Sequence, residues 1–292
     1  MDERTLTIAI VAPSGIPDTE SLHAGAELVK SWNHQIVFGR HVFARNHYNA
    51  GTPAERVEDL IWAMTAPEVD VVWMARGGYG QAHGLPHLPF ERFLDKLVIG
   101  YSDATALLAA LHQSPNNSKL IHGPMVEKLA TDVDEQTRDW IRGQLAGRHA
   151  DALQGTSVDR APSAPIYGTV VGGNLTVLAS LLGTPWGIRP KDAILLLEDI
   201  DEPAYRIDRS ITQLILSGAF ENVRAVGFGE FTRCPVPDEA NYTLQNILSD
   251  LLAPLDIPVV HGLQFGHGAR NQPWVYGSKA KLDQTTLSFI PE

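Results

Sequence analysis

The chain has 292 residues, 44% of them hydrophobic and 20% charged, a balance that argues against disordered and fibrous proteins and suits one large domain or two medium ones. A formal net charge of −11, with no basic run or aromatic-plus-basic stripe, argues against nucleic-acid partners and anionic membrane surfaces. The single cysteine, Cys234, cannot close an internal disulfide, and no CxxC or Cys/His spacing suggests structural zinc, so no metal site is expected.

The opening MDERTLTIAIVAPSG is charged and then briefly apolar, unlike the basic start and longer apolar stretch of a signal peptide. No apolar stretch approaches the ~18 residues needed to span a bilayer, so a soluble, cytoplasmic protein is expected. LTIAIVAP from Leu6 reads as a buried strand, and TESLHAGAELVKSW from Thr19 as a helix. QIVFG from Gln35 is a second strand. PAERVEDLIWAMTA is a helix with Pro53 in its first turn and Val57, Leu60, Ile61 and Met64 on one face. VDVVWMA from Val69 and KLVIG from Lys96 are further strands, and DATALLAALHQ from Asp103 is a helix following almost at once. This alternation predicts a parallel sheet with helices on both faces.

The small, polar stretch from Gly147 to Pro165 reads as a linker or crossover. Beyond it come a short strand, glycine turn and helix in YGTVVGGNLTVLASLLGTPW, and a buried strand in DAILLLEDI from Asp192. YRIDRSITQLILSG from Tyr205 is a helix with Gly218 as its stop. VRAVGFGEF is a strand, TLQNILSDLLAPL a helix, IPVVHGLQFGH a strand running into a loop, and WVYGSKAKLDQTTLSFI a hairpin. The expected domains are 1–150 and 166–292, joined by a linker over 151–165.

Parallel sheets place their chemistry at the carboxyl ends of their strands. There KLVIG-Y-S-DATALLAAL sets Ser102 between a buried strand and a helix, a placement that exposes a nucleophilic hydroxyl beside the free N–H groups of the helix. Ser102 equally fits as a helix cap, and position 104 is alanine where the usual GxSxG has glycine. RGGYG, Arg76 to Gly80, either brings backbone N–H groups close to a ligand or is an ordinary glycine turn. A serine nucleophile needs a base, and among eleven histidines His267 stands out, in a glycine-flanked loop after a strand. His83 and His87 are four apart, but Gly84 and Pro86 interrupt any shared helix face. Glu198, at the end of LLLEDIDEP, is a candidate orienting acid or a solvated strand-end charge.

Together these segments resemble the LD-carboxypeptidase family of serine peptidases, which includes the microcin C resistance peptidases. The resemblance runs in order through VAPSG, RGGYG, GYSDATAL, HGPM, GGNLTVLASLLGTPW, LLLEDIDEPAYRIDR, GFGEFTRC and PVVHGLQFGH. It implies a Ser102–His267–Glu198 triad, with oxyanion donors in the N–H groups of Asp103 and of Gly77 or Gly78. It implies two α/β domains, the first a parallel-sheet domain of flavodoxin or glutamine-amidotransferase type, with the site at their junction. It further implies a homodimer without a cofactor, acting on a small peptide or a peptidyl-nucleotide. The murein branch releases terminal D-alanine from a tetrapeptide in peptidoglycan recycling. The microcin branch cleaves an amide between an acidic residue and a nucleotide-like group. A non-catalytic binding protein that keeps the pocket is the reading from another class. Arg76, Arg206 and Arg270 are candidates to grip a substrate carboxylate, and each also fits a structural ion pair or a solvated charge.

Overall fold

The computed structural model describes residues 4–291; the charged start Met1–Glu3 and the terminal Glu292 lie outside the described residues. The chain divides into two compact units. The first takes the described residues up to Arg148 together with Pro273–Tyr276, and the second takes His149–Gln272 and the described residues from Gly277 onward.

In the first unit, β1 (Thr7–Val11), α1 (Thr19–Ser31), β2 (Gln35–Phe38), α2 (Pro53–Thr65), β3 (Val71–Met74) and the one-turn α3 (Gln81–Gly84) lead to β4 (Leu97–Gly100). A 3₁₀ turn at Ser102–Ala104 opens α4 (Thr105–His112), followed by β5 (Lys119–His122) and α5 (Glu135–Leu145). Local chemistry fixes these boundaries. Asp18 caps α1 by accepting from Ser21 N–H. Thr52 and Glu55 form a reciprocal capping box at α2, with Pro53 in the first turn. The strands β2–β1–β3–β4–β5 are parallel, in the flavodoxin-like order of doubly wound sheets. Ile8, Ile10, Val71, Trp73, Ile99 and Ile121 fill the core, and Leu22, Ala26 and Val29 of α1 pack on it.

The second unit contains β6 (Leu153–Gln154), β7 (Ser157–Asp159), β8 (Ile166–Asn174), α6 (Leu175–Ser180), β9 (Ala193–Ile200), α7 (Ala204–Leu216), β10 (Val223–Thr232), α8 (Leu244–Leu252) and β11 (Val259–His261). After β12 (Trp274–Tyr276) come β13 (Lys279–Asp283) and β14 (Thr286–Phe289). Its eight-stranded sheet runs β6-β14-β13-β8-β9-β10-β11-β7, with β8 to β11 parallel and the flanking strands antiparallel. Gly218, at φ 80°, ends α7 as its position in the sequence predicts.

Two expectations are corrected. The stretch read as a linker carries β6 and β7, which pair with β14 and β11; strands of two and three residues are too short to show a period. The expected tail hairpin is only β13–β14. β12 pairs instead with β5, and Trp274 stacks on the buried His122 ring at 4.8 Å. Among the described residues, no helix is long and apolar enough to cross a membrane.

Gly172 on β8, at φ 141°, touches the neighbouring strand so closely that an added Cβ would lie 1.8 Å from Leu196 O. Gly172→Ala is expected to destabilise by about 2–4 kcal/mol, read as a lowered urea midpoint. Burial pushes the Cys234 thiol up to about 11. At pH 8 about one thiol in a thousand is then ionised, so iodoacetamide should label Cys234 slowly in the native protein and at an ordinary rate in urea.

Candidate active site

β4 ends at Gly100 and the chain turns into a helix within two residues. Ser102 sits in that turn at φ 57°, a left-handed conformation that L-residues adopt at a cost of about 1–2 kcal/mol. The turn closes only around small neighbours: a Cβ on Gly100 would lie 2.8 Å from Ala104 Cβ and 2.7 Å from Met74 Cγ. Alanine at 104 therefore fills the place of the second glycine of GxSxG. Neither the 3₁₀ turn nor α4 has a side-chain cap, so the helix-cap reading of Ser102 does not hold. Ser102 is half-buried just past the carboxyl end of β4.

The Arg76–Gly80 turn follows β3, the neighbour of β4. A Cβ on Gly77 would stand 3.0 Å from Ser102 Oγ, so glycine there lets the backbone reach the hydroxyl. Gly78 and Gly80 have φ of 108° and 125°. Among the described residues, no acceptor is paired with the N–H of Gly77, Gly78 or Asp103. Backbone donors beside a serine hydroxyl are what a developing oxyanion requires.

In the second unit, Glu198 near the end of β9 is 0% exposed, which rules out the solvated-acid reading. Its Oε2 lies 2.6 Å from Nδ1 of His267, whose side chain is 10% exposed. A carboxylate at Nδ1 holds the tautomer that carries its proton there and leaves Nε2 as a base. The histidine loop is anchored at a register shift in β10 between Phe228 and Phe231, where Glu230 N–H donates to Phe265 O at 2.8 Å. Gly266, at φ 129°, donates its N–H to Asn271 Oδ1 at 3.2 Å.

Arg76 and Arg206 have partners within their own units. Arg76 donates to Ile16 O at 2.9 Å and lies 3.7 Å from the buried Glu127 carboxylate. Arg206 is exposed on α7, against Glu202 and the Tyr205 hydroxyl. Arg270 is exposed in the loop after His267. His83 interacts with Tyr79 and Arg56, and His87 lies in a separate 3₁₀ turn. The side-chain carboxylates of two buried acids, Asp103 and Asp199, were not singled out by sequence. Asp103 accepts from Ser14 Oγ at 2.6 Å and Gln81 N–H at 2.8 Å. Asp199 accepts from Asn174 Nδ2, Thr176 N–H, Thr176 Oγ1 and Ile200 N–H at 2.7–2.9 Å. Burial raises the pKa of both against the pull of these donors. Their only sequence signal is position, each next to a candidate site residue.

Residues 8–123 match the model of the LD-carboxypeptidase N-terminal domain, and residues 167–282 match that of the LD-carboxypeptidase C-terminal domain. The chain belongs to the LD-carboxypeptidase family. It is thereby an enzyme of a serine-peptidase family with a two-domain α/β fold. The murein tetrapeptide carboxypeptidase of Pseudomonas aeruginosa is 34% identical over 97% of this chain and 94% of its own length. The structure of muramoyltetrapeptide carboxypeptidase from Oxalobacter formigenes matches with a TM-score of 0.87 at 30% identity, covering 97% of both chains. The microcin C7 self-immunity protein MccF of Escherichia coli is 23% identical over 88% of this chain and 83% of its own. A structure of MccF with glutamyl sulfamoyl guanosine has a TM-score of 0.87 at 20% identity, covering 98% of this chain and 96% of that one, a likeness of fold alone.

The left-handed turn at Ser102 yields one expectation. Ser102→Gly relieves its strain and should stabilise the protein by about 1 kcal/mol, measured by urea unfolding.

Proposed function

We propose that this LD-carboxypeptidase family member hydrolyses the L,D-peptide bond that holds the terminal D-alanine of murein tetrapeptide. The observation that carries the reading is the uncapped Ser102 hydroxyl, held in a left-handed turn with Gly77 against its Oγ. The reading draws its nucleophile from the first unit and its base and acid from the second. Ser102 Oγ attacks the carbonyl at the L-centre of the diamino acid while His267 Nε2 takes its proton. Glu198 holds the imidazole tautomer and stabilises its positive form. The N–H groups of Asp103 and of Gly77 or Gly78 receive the oxyanion, each contributing about 3–4 kcal/mol. His267 returns the proton to the departing D-alanine amine, and water then hydrolyses the acyl-enzyme. The reading places the enzyme in the cytoplasm, in peptidoglycan recycling, as a homodimer that needs no cofactor.

The named activities of the Pseudomonas and Oxalobacter relatives support murein peptide as the substrate. The more distant likeness to MccF keeps cleavage of an aminoacyl-nucleotide amide as the second reading. The test is incubation with L-Ala-D-Glu-diaminopimelate-D-Ala and detection of free D-alanine by mass spectrometry. Release is expected. It should fall at least about 10⁴-fold in Ser102→Ala and about 10³–10⁴-fold in Glu198→Gln, and chelators should leave it unchanged. Cleavage only of an acyl-sulfamoyl adenylate would move the enzyme to the second reading. Cleavage of neither would leave a binding protein.

A further inference from the structure

Asp103 follows the proposed nucleophile, and its carboxylate lies 3% exposed behind the turn. Burying a carboxylate is costly unless donors meet it, so its two donors indicate what the group does. Both belong to loops at the same sheet edge. One is Ser14 Oγ, from the loop after β1, at 2.6 Å. The other is Gln81 N–H, immediately beyond Gly80, at 2.8 Å. Oδ2 receives both.

These bonds reach the glycine turn from both ends. Beside Ser14, Gly15 N–H donates to Gly77 O at 2.9 Å. In a trans peptide the carbonyl and the following N–H point in opposite directions. Holding Gly77 O on Gly15 therefore aims Gly78 N–H away from that loop. At the far end, the bond from Gln81 N–H to Asp103 ties the turn to the helix that carries Ser102. Asn49 Nδ2 braces the middle by donating to Ser14 O and Tyr79 O. Gly78 and Gly80 adopt left-handed conformations within this frame. Without such ties, a turn with three glycines in four residues would sample many orientations.

We propose that the Asp103 carboxylate is a positioning residue, which clamps Ser14 and Gln81 so that the Gly77–Gly78 peptide presents its N–H beside Ser102 Oγ. The inference rests on the reading of Ser102 as nucleophile and assigns the side chain a role separate from that of its own backbone N–H. It makes Ser14, far away in sequence, part of the same device.

The test uses Ser14→Ala, Asp103→Asn and Asp103→Ala in the full chain. Active sites are titrated with a fluorophosphonate, and hydrogen exchange is followed over residues 76–81. Ser14→Ala should lower kcat per titrated site by roughly 10- to 100-fold with KM within about threefold, as expected for a misplaced catalytic group. Exchange over 76–81 should accelerate while that of β9 and β10 stays unchanged. Asparagine keeps an acceptor oxygen, so Asp103→Asn should recover part of what Asp103→Ala loses. Unchanged exchange over 76–81, or parental kcat per site in Ser14→Ala, would overturn the proposal. If Asp103 variants fail to fold, Ser14→Ala decides alone. If the parent neither releases D-alanine nor labels at Ser102, the functional reading fails, and exchange alone decides whether the clamp exists.

Discussion

The turn at Ser102 constrains everything around it. A strand must become a helix within two residues, and the residue at the bend must hold a left-handed conformation. Only small side chains pass beneath it, which sets glycine at 100 and alanine at 104. Only glycine allows the adjacent loop to approach, which sets Gly77. The strain persists because β4 is buried between β3 and β5 and α4 is buried along nearly its whole length. The flavodoxin-like order places the loops after β1, β3 and β4 at one edge, where strands change direction of winding. Each contributes one part: Ser14, the glycine turn, and the serine.

Buried carboxylates organise both units, and each works by drawing donors from separate segments. Asp103 joins two loops to a helix start. Asp199 joins the end of β9 to the beginning of α6 through Asn174 and Thr176. Glu127 accepts from Asp18 N–H at the head of α1 and faces Arg76. Glu198 meets the histidine. Burial opposes ionisation of Asp103, Asp199 and Glu127, and their hydrogen bonds and cationic neighbours offset part of that opposition. Removing one donor from such a site leaves a group that water cannot reach, so the effect of a single substitution spreads along the segments the carboxylate joined.

Much of this was legible in the chain because apolar runs of four or more residues, punctuated by glycine and proline, define strands in either unit. The candidate residues were legible as positions and not as roles. Serine after Gly100 suits a nucleophile and a cap alike, and what separates them is a dihedral angle and a cap bond that is not made. Glu198 reads as a strand-end acid whether wet or dry; its burial comes from how the second sheet packs. Arg76 was illegible because its partners, Glu127 and the Ile16 carbonyl, are remote in sequence. β6, β7 and β12 exist through pairing with distant strands, and alternation in WVY looks the same in either sheet.

The return of β12 to the first sheet has a consequence for biosynthesis. Among the described residues, β5 has β4 on one side and Trp274–Tyr276 on the other. A growing chain emerging from the ribosome at about 5–20 residues per second therefore exposes an open strand edge, and the flat face of His122, until Trp274–Tyr276, far along the chain from β5, have been made. The first unit is complete only once Trp274–Tyr276, which follow most of the second unit in the chain, have been synthesised. Truncating the chain anywhere before residue 274 leaves that edge bare, so the first sheet depends on a strand encoded beyond most of the second unit even though each unit packs its own core.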